Sequence, residues 1–319
     1  MNERGLPKKI AIFGASSQIA KDLIRSFFRQ EAYDMVLFAR RPEAVEQWLA
    51  TENASGKYAV SGYQGFGTSG HFDAIINFVG SGNPSQTQAL GNSILDLTQE
   101  YDTLALSYLN SHPQCRYIFL SSGAAYGSSF DEPAGENSKA SVAINGLQEQ
   151  DWYAVAKLYA ECRHRSLKDL PIVDIRVFNY FSHTQDISAR YLIMDILRAI
   201  LSGETLTVST DNIIRDYIGP SDFYQLVSGT LDASPSNDVI DCYTCAPVDK
   251  MSLLAAMQEH FGLKYEISAT PAGINATGLK KNYYSLNKRA EKFGYRPANN
   301  SLENVIREAR LALQAASKV

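Results

Sequence analysis

DWYAVAK (residues 151–157) sets Tyr153 and Lys157 four places apart in a helix-patterned stretch, which puts both side chains on one face. A free phenol has a pKa of about 10 and stays protonated at neutral pH. An ammonium beside it favours the phenolate and lowers that value. The pair can then exchange a proton with a hydroxyl or carbonyl while hydride moves to or from a nicotinamide. Upstream, the apolar run RYIFL (116–120) ends in SSGAAYG (121–127), two serines followed by a turn of small residues and one tyrosine. Open sheets present ligand sites at such strand ends, so Ser122 is placed to hydrogen-bond and orient the same oxygen. A tyrosine–lysine pair at this spacing is common by chance. Downstream of such a strand, in a chain that opens with a dinucleotide-type turn, it is not.

That turn follows KKIAIF (8–13), which runs into GASSQIA (14–20) and a helical pattern. Gly14, Ser17 and Ala20 stand at the spacing of a GxxGxxG motif, small enough for close approach to a pyrophosphate. The helix N-terminus, with Ser16, Ser17, Gln18 and Ile19, faces the anion. A small-residue turn that binds nothing has the same spelling. The next strand, MVLFA, ends in Arg40-Arg41-Pro42 with no acid to accept from ribose hydroxyls. Guanidinium groups suit a 2′-phosphate, so NADP(H) is favoured and NAD stays open, because an arginine pair is also an ordinary solvated loop feature.

The elements that hold these residues alternate. Short apolar runs at 8–13, 35–39, 57–63, 73–79, 115–120 and 171–180 read as strands. Helical patterns at 18–30, 42–50, roughly 86–110 and 151–167 lie between them. The expectation is α/β: a Rossmann-type doubly wound parallel sheet over residues 1–180, some later segments returning to it. Residues 181–319 then form mainly a smaller, mixed α/β substrate domain. The 319 residues are 45% hydrophobic and 20% charged, with a net charge of −4. That mild acidity gives no reason to expect nucleic acid or a membrane surface as partner. No apolar run reaches the roughly 18 residues of a spanning helix, and the start leads directly into a strand, so a soluble, cytoplasmic protein is expected. Cys242 and Cys245 form a lone CxxC in a β-prone run; they read as buried core thiols, and no metal site is expected.

GASSQIA, SSGAAYG, YAVAK, RVFNYF and RDYIGPSDF together resemble the extended short-chain dehydrogenase/reductase family, also called the NAD-dependent epimerase/dehydratase family. The likeness runs nearly end to end and includes KNYYSLNKRAEKFGYRP. It implies a Rossmann domain with a smaller C-terminal domain, acting on nucleotide sugars. It implies Tyr153 as acid/base, Lys157 as its partner on the nicotinamide ribose, and Ser122 as the catalytic hydroxyl. It further implies that Asn179 contacts the nucleotide-diphosphate part of the substrate and that Arg215 neutralises the diphosphate. An ion pair of Arg215 with Asp216 or Asp222 is the plain alternative. Family members commonly form homodimers through two helices, here those at roughly 86–110 and 151–167.

Departures from the family pattern narrow the reaction. The 4,6-dehydratases carry Asp-Glu after the catalytic Thr, and the 3,5-epimerase/reductases a Cys two places after the Ser; here Gly123 and Ala124 stand there. TPAGINATGLKKN holds no clearly aligned second arginine, leaving Lys280 or Lys281 as substitutes. The expected reaction is NADPH-dependent reduction of a keto-sugar nucleotide of the 4-keto-6-deoxyhexose type. Its rivals are an NAD-dependent 4-epimerase, a non-catalytic NADP sensor, and an enzyme for a non-sugar carbonyl. The histidines are scattered; His183, near the expected cleft, reads as a loop residue.

Overall fold

Strand β1 (Lys8–Phe13) shows why the sheet lies in the middle of the molecule. Its last four residues are fully buried, and successive side chains point to opposite faces. Ile10 and Ile12 pack with Leu23, Ile24 and Phe27 of helix α1 (Gln18–Gln30). Ala11 and Phe13 pack with Leu106 and Leu109 of helix α4 (Ser93–Ser111) on the other face. A strand covered on both sides must be apolar on both sides. The fold is that of a computed structural model, which describes residues 7–317 except 32, 68–69, 82–83, 128–129 and 270–279.

Six further strands join β1 in a parallel sheet: β2 (Tyr33–Phe38), β3 (Ala59–Ser61), β4 (Ala74–Asn77), β5 (Arg116–Ser122), β6 (Ile172–Val177) and β11 (Asp238–Asp241). The order is β11-β6-β5-β4-β1-β2-β3, a Rossmann-type α/β arrangement. It reverses between β1 and β4, and ligands in open α/β sheets bind outside the carboxyl ends of strands at such a reversal. Helix α2 (Pro42–Thr51) follows β2, and α7 (Pro220–Asp232) packs near α1.

Beyond the sheet, β7 (Asn179–Tyr180) pairs with β10 (Tyr217–Ile218). Strand β9 (Ile214–Arg215) lies between β12 (Val248–Asp249) and β14 (Asn282–Tyr283). A separate pair joins β8 (Thr205–Ser209) to β13 (Lys264–Ser268). Helices α6 (Leu192–Ser202), α8 (Lys250–Phe261) and α9 (Ser301–Ala316) share a second core through Ile193, Leu197, Leu254, Met257 and Val305.

Helix α5 (Trp152–Ser166) is pinned by charge as well as packing. His164, fully buried, has Nδ1 2.6 Å from Asp174 Oδ1 on β6 and Nε2 2.7 Å from Asp102 Oδ1 on α4. Both ring nitrogens face carboxylates, so the ring is an imidazolium. Burial pushes its pKa down, but the two carboxylates prevail and raise it to about 9.

Several expectations are revised. The helix expected at roughly 86–110 is two, α3 (Pro84–Leu90) and α4, broken at Gly91 with its φ of +53°. The run 171–180 divides into β6 and β7, which belong to different sheets. The strand expected at 57–63 keeps only three residues before a single 3-10 turn. Cys242, directly after β11, is buried, but Cys245, three residues further along, is exposed.

Candidate active site

The turn after β1 is built around Gly14, whose φ is +71°. A Cβ there would lie 2.9 Å from the backbone carbon of Phe78, beyond β4, so only glycine lets the two chains pass. Ser17 caps α1, accepting from the Ala20 N–H at 3.3 Å. Ser16 is exposed, while Gln18 and Ile19 are half-buried. The Gln18 amide donates to Thr184 and lies 3.4 Å from Asp22, and Ile19 packs on the core. Any contact from Gln18 and Ile19 to a phosphate would therefore use their backbone amides, which helix geometry leaves open in the first turn. Arg40 and Arg41 are exposed just past β2. Arg40 lies near the phenols of Tyr63 and Tyr101 and favours their ionised forms, although burial dominates and raises both.

Ser122 ends β5, with its Oγ 3.1 Å from the Ala124 N–H. The small residues that follow have a packing cause: a Cβ on Gly123 would collide with the ring of Phe178. Tyr153 stands in the first turn of α5. Its phenol is pushed up by burial, and the nearby Ser122 hydroxyl opposes that shift. Lys157 behaves differently from the sequence expectation. Its Nζ is 5.7 Å from the centre of the Tyr153 ring, donates to the Leu120 carbonyl at 2.8 Å and sits 4.4 Å over Phe119. Only 2% exposed, it is pushed down to about 8 by burial, against the raising influence of Glu161, Asp102 and Asp174. Burial thus outweighs the ammonium in setting the Tyr153 phenol.

Gly80, after β4, brings its backbone to Lys157: a Cβ there would stand 3.4 Å from Nζ. The floor between turn and lysine is therefore backbone, an opening that side chains would fill. A hydroxyl, a phenol and an ammonium converge on its rim, which is a proton-handling arrangement.

Across from Ser122 lies Tyr283, on β14, its phenol oxygen 3.3 Å from Ser122 Oγ. Two cations flank its ring. The guanidinium carbon of Arg215 is 5.8 Å from the ring centre and Lys280 Nζ 4.7 Å. Burial lowers the Arg215 pKa. Lys280 is pushed down to about 8, by burial and by Arg215, with Asp151 opposing. Two neighbouring cations, one of which lowers the protonation of the other, form a site suited to an anion. Arg215 Nη1 donates to the Ile214 carbonyl at 2.8 Å. Asp216 accepts from Thr244 and Asp222 from the Ala298 amide, so both carboxylates have their own donors. The Asn179 side-chain amide reaches the carbonyls of Asp216 and Tyr283 at 3.3 Å each, tying β7 to β10 and β14. Lys281 is exposed. Most of the segment searched for a second arginine, residues 270–279, lies outside the described residues.

Sequence reading missed Tyr63 and Tyr283. Tyr63 Oη accepts the Gly14 N–H at 2.8 Å, fixing the turn from the end of β3. The only signal was position: an aromatic directly after the strand two places from β1. Tyr283 stood in KNYY, used only for its likeness to a late family segment. His183 is exposed, with its Nδ1 2.7 Å from Glu308 Oε2 on α9.

Residues 10–242 match the model of the NAD dependent epimerase/dehydratase family. No curated protein matches the sequence. Solved structures match over nearly the whole chain. A dTDP-glucose 4,6-dehydratase from Bacillus anthracis str. Ames, in complex with NAD, has a TM-score of 0.77 at 13% identity, covering 97% of this chain and 98% of that one. A UDP-N-acetylglucosamine 4-epimerase from Methanobrevibacter ruminantium M1, in complex with UDP-N-acetylmuramic acid, gives 0.79 at 16%, covering 98% and 99%. A UDP-glucose 4-epimerase from Thermotoga maritima, with UDP-glucose, gives 0.78 at 14%, covering 97% and 99%. At such identities the likeness is one of fold. The family match spans most of the chain and includes the Gly14 turn, Ser122, Tyr153 and Lys157: the protein belongs to the NAD dependent epimerase/dehydratase family.

Proposed function

We propose that this protein reduces the keto group of a sugar carried on a nucleoside diphosphate, with NADPH as reductant. The observation that carries the substrate class is the spacing at Tyr283. Its ring centre lies 5.8 Å from the Arg215 guanidinium carbon and 4.7 Å from Lys280 Nζ, and its phenol oxygen 3.3 Å from Ser122 Oγ, so one residue links the cation pair to the hydroxyl. A diphosphate held by the two cations would bring the reacting oxygen of its sugar toward Ser122 and Tyr153.

The residues present fit a dinucleotide. The Gly14 turn leads into the N-terminus of α1, whose amides face an anion, and the Gly80 backbone, where a Cβ would stand 3.4 Å from Lys157 Nζ, leaves room beside the lysine. When bound, the nicotinamide supplies the hydride. Tyr153 gives its proton to the carbonyl oxygen, Ser122 orients that oxygen, and the Lys157 ammonium favours the phenolate left behind. Gly123 and Ala124 offer no side chain for removing a proton or a hydroxyl, which supports plain reduction over elimination. Arg40 and Arg41, exposed where an acid would serve NAD, support NADPH.

A second reading, an NAD-dependent 4-epimerase, is favoured by solved relatives that are 4-epimerases of UDP-sugars. Calorimetric titration with NADPH and NADH separates the two, after a denatured sample has been checked for carried cofactor. Preferential NADPH binding to largely empty protein, with UDP-glucose binding weakened by Arg215→Met, supports the reductase. Stoichiometric NAD released on denaturation sinks it in favour of the epimerase.

A further inference from the structure

Ser122 Oγ has three neighbours that could share its one proton and two lone pairs. The Ala124 N–H donates to it from 3.1 Å. The Tyr283 phenol oxygen lies 3.3 Å away, and the phenol of Tyr153 on α5 is near enough for the Ser122 hydroxyl to favour its ionised form. Tyr283 is 5% exposed, and burial holds its phenol protonated well above neutrality. Either oxygen of the Ser122–Tyr283 pair can donate, and a protonated phenol has a proton to point at Ser122. A hydroxyl oxygen that accepts from an amide and from a phenol has both acceptor places filled, and its proton must leave in the third direction. That direction is Tyr153.

We infer that Tyr283 is a positioning residue that fixes the polarity of the catalytic serine: Tyr283 donates to Ser122, and Ser122 directs its one proton toward Tyr153. No bond to carbon forms or breaks in this arrangement; it sets which atom holds each proton. It supplies a stabilisation of the Tyr153 phenolate that Lys157, turned to the Leu120 carbonyl, supplies only at a distance. The inference rests on the reading of Tyr153 as the proton-transfer residue. The charged groups around the chain are Lys157 on α5, Arg215 on β9, Lys280 ahead of β14, and Asp151, which faces Lys280. A phenylalanine at 283 keeps the ring beneath both cations and removes only the hydroxyl.

The test is an ultraviolet titration of phenolate absorbance in the full-length wild type and in Tyr283→Phe, Ser122→Ala and the double variant, each referenced to its own Tyr153→Phe partner to isolate Tyr153. The expected result is a Tyr153 ionisation about one pH unit higher in Tyr283→Phe, at least as high in Ser122→Ala, and no higher in the double variant. Tyr153 ionising at the same pH in wild type and in a Tyr283→Phe protein of unchanged circular dichroism would overturn the inference, as would shifts that simply add. A purely structural Tyr283 would lower the melting temperature and leave the Tyr153 titration where it was. The titration needs no sugar, so its outcome is independent of the UDP-glucose binding that tests the proposed function.

Discussion

Replacing Lys157 with methionine should make the protein more stable at neutral pH while destroying proton transfer. Burial lowers the ammonium from 10.5 to about 8, a difference worth about 3 kcal/mol against the charged form. The folded protein therefore holds this proton less tightly than the unfolded chain does. Below pH 8 both states are protonated and the full cost falls on the fold. Between pH 8 and 10.5 the unfolded chain still binds the proton, so stability rises with pH and the cost fades. Methionine fills much the same volume without a charge but strands the Leu120 carbonyl, a loss of about 1 kcal/mol. The net expectation is a gain of about 2 kcal/mol at pH 7 that turns into a loss of about 1 kcal/mol above pH 10.5. Urea unfolding of both proteins at pH 7 and 10.5 reads this directly, and other titrating groups cancel in the comparison. A variant that is equally unstable at both pH values would refute the reasoning. It would mean that the pocket beside Gly80 and Phe119 solvates the ammonium and that Lys157 carries no burial cost. The confirmed result would instead mark the lysine as kept for chemistry at the expense of stability.

Gly14→Ala forces a side chain into positive φ and against Phe78, so dinucleotide binding should vanish with circular dichroism near wild type; calorimetry reads the first and thermal melting the cost. Arg215→Met and Lys280→Met should each weaken UDP about 10- to 100-fold, and raised salt should shrink the difference. Equal UDP affinity in all three proteins would remove the cation pair from the site. His164→Gln leaves Asp102 and Asp174 without their shared cation and should cost about 3–5 kcal/mol at pH 6. Because the folded pKa is raised to about 9, the wild-type advantage is full below pH 6.5 and fades as pH rises through 9. A gap between wild type and variant that stays constant from pH 6 to 9.5, measured by urea unfolding, would contradict a charged His164. Arg40→Ser with Arg41→Ser should lower the NADPH over NADH preference at least tenfold by calorimetry.

The parallel sheet was legible because doubly covered strands must be apolar throughout and the helices between them must be amphipathic; both are local periodicities. The dinucleotide turn was legible for a related reason, since Gly14 at the end of a strand and Ser17 before a helix are backbone requirements stated by single residues. The four-residue spacing of Tyr153 and Lys157 is likewise a property of any helix. What surrounds those residues was decided in three dimensions. Tyr283 reaches Ser122 across 161 positions of chain because β14 pairs with β9. Lys280 and Arg215 become neighbours through the same pairing. Gly123 looked like a missing catalytic residue and is also the room that Phe178 needs. Even the effect of Lys157 on Tyr153 was a tertiary matter. Spacing put an ammonium beside a phenol, but burial raised the phenol and lowered the ammonium, so each is pushed toward its neutral form. Periodicity and spacing specify direction along an element; the dielectric, the partners and the free lone pairs around a group exist only once distant segments have packed.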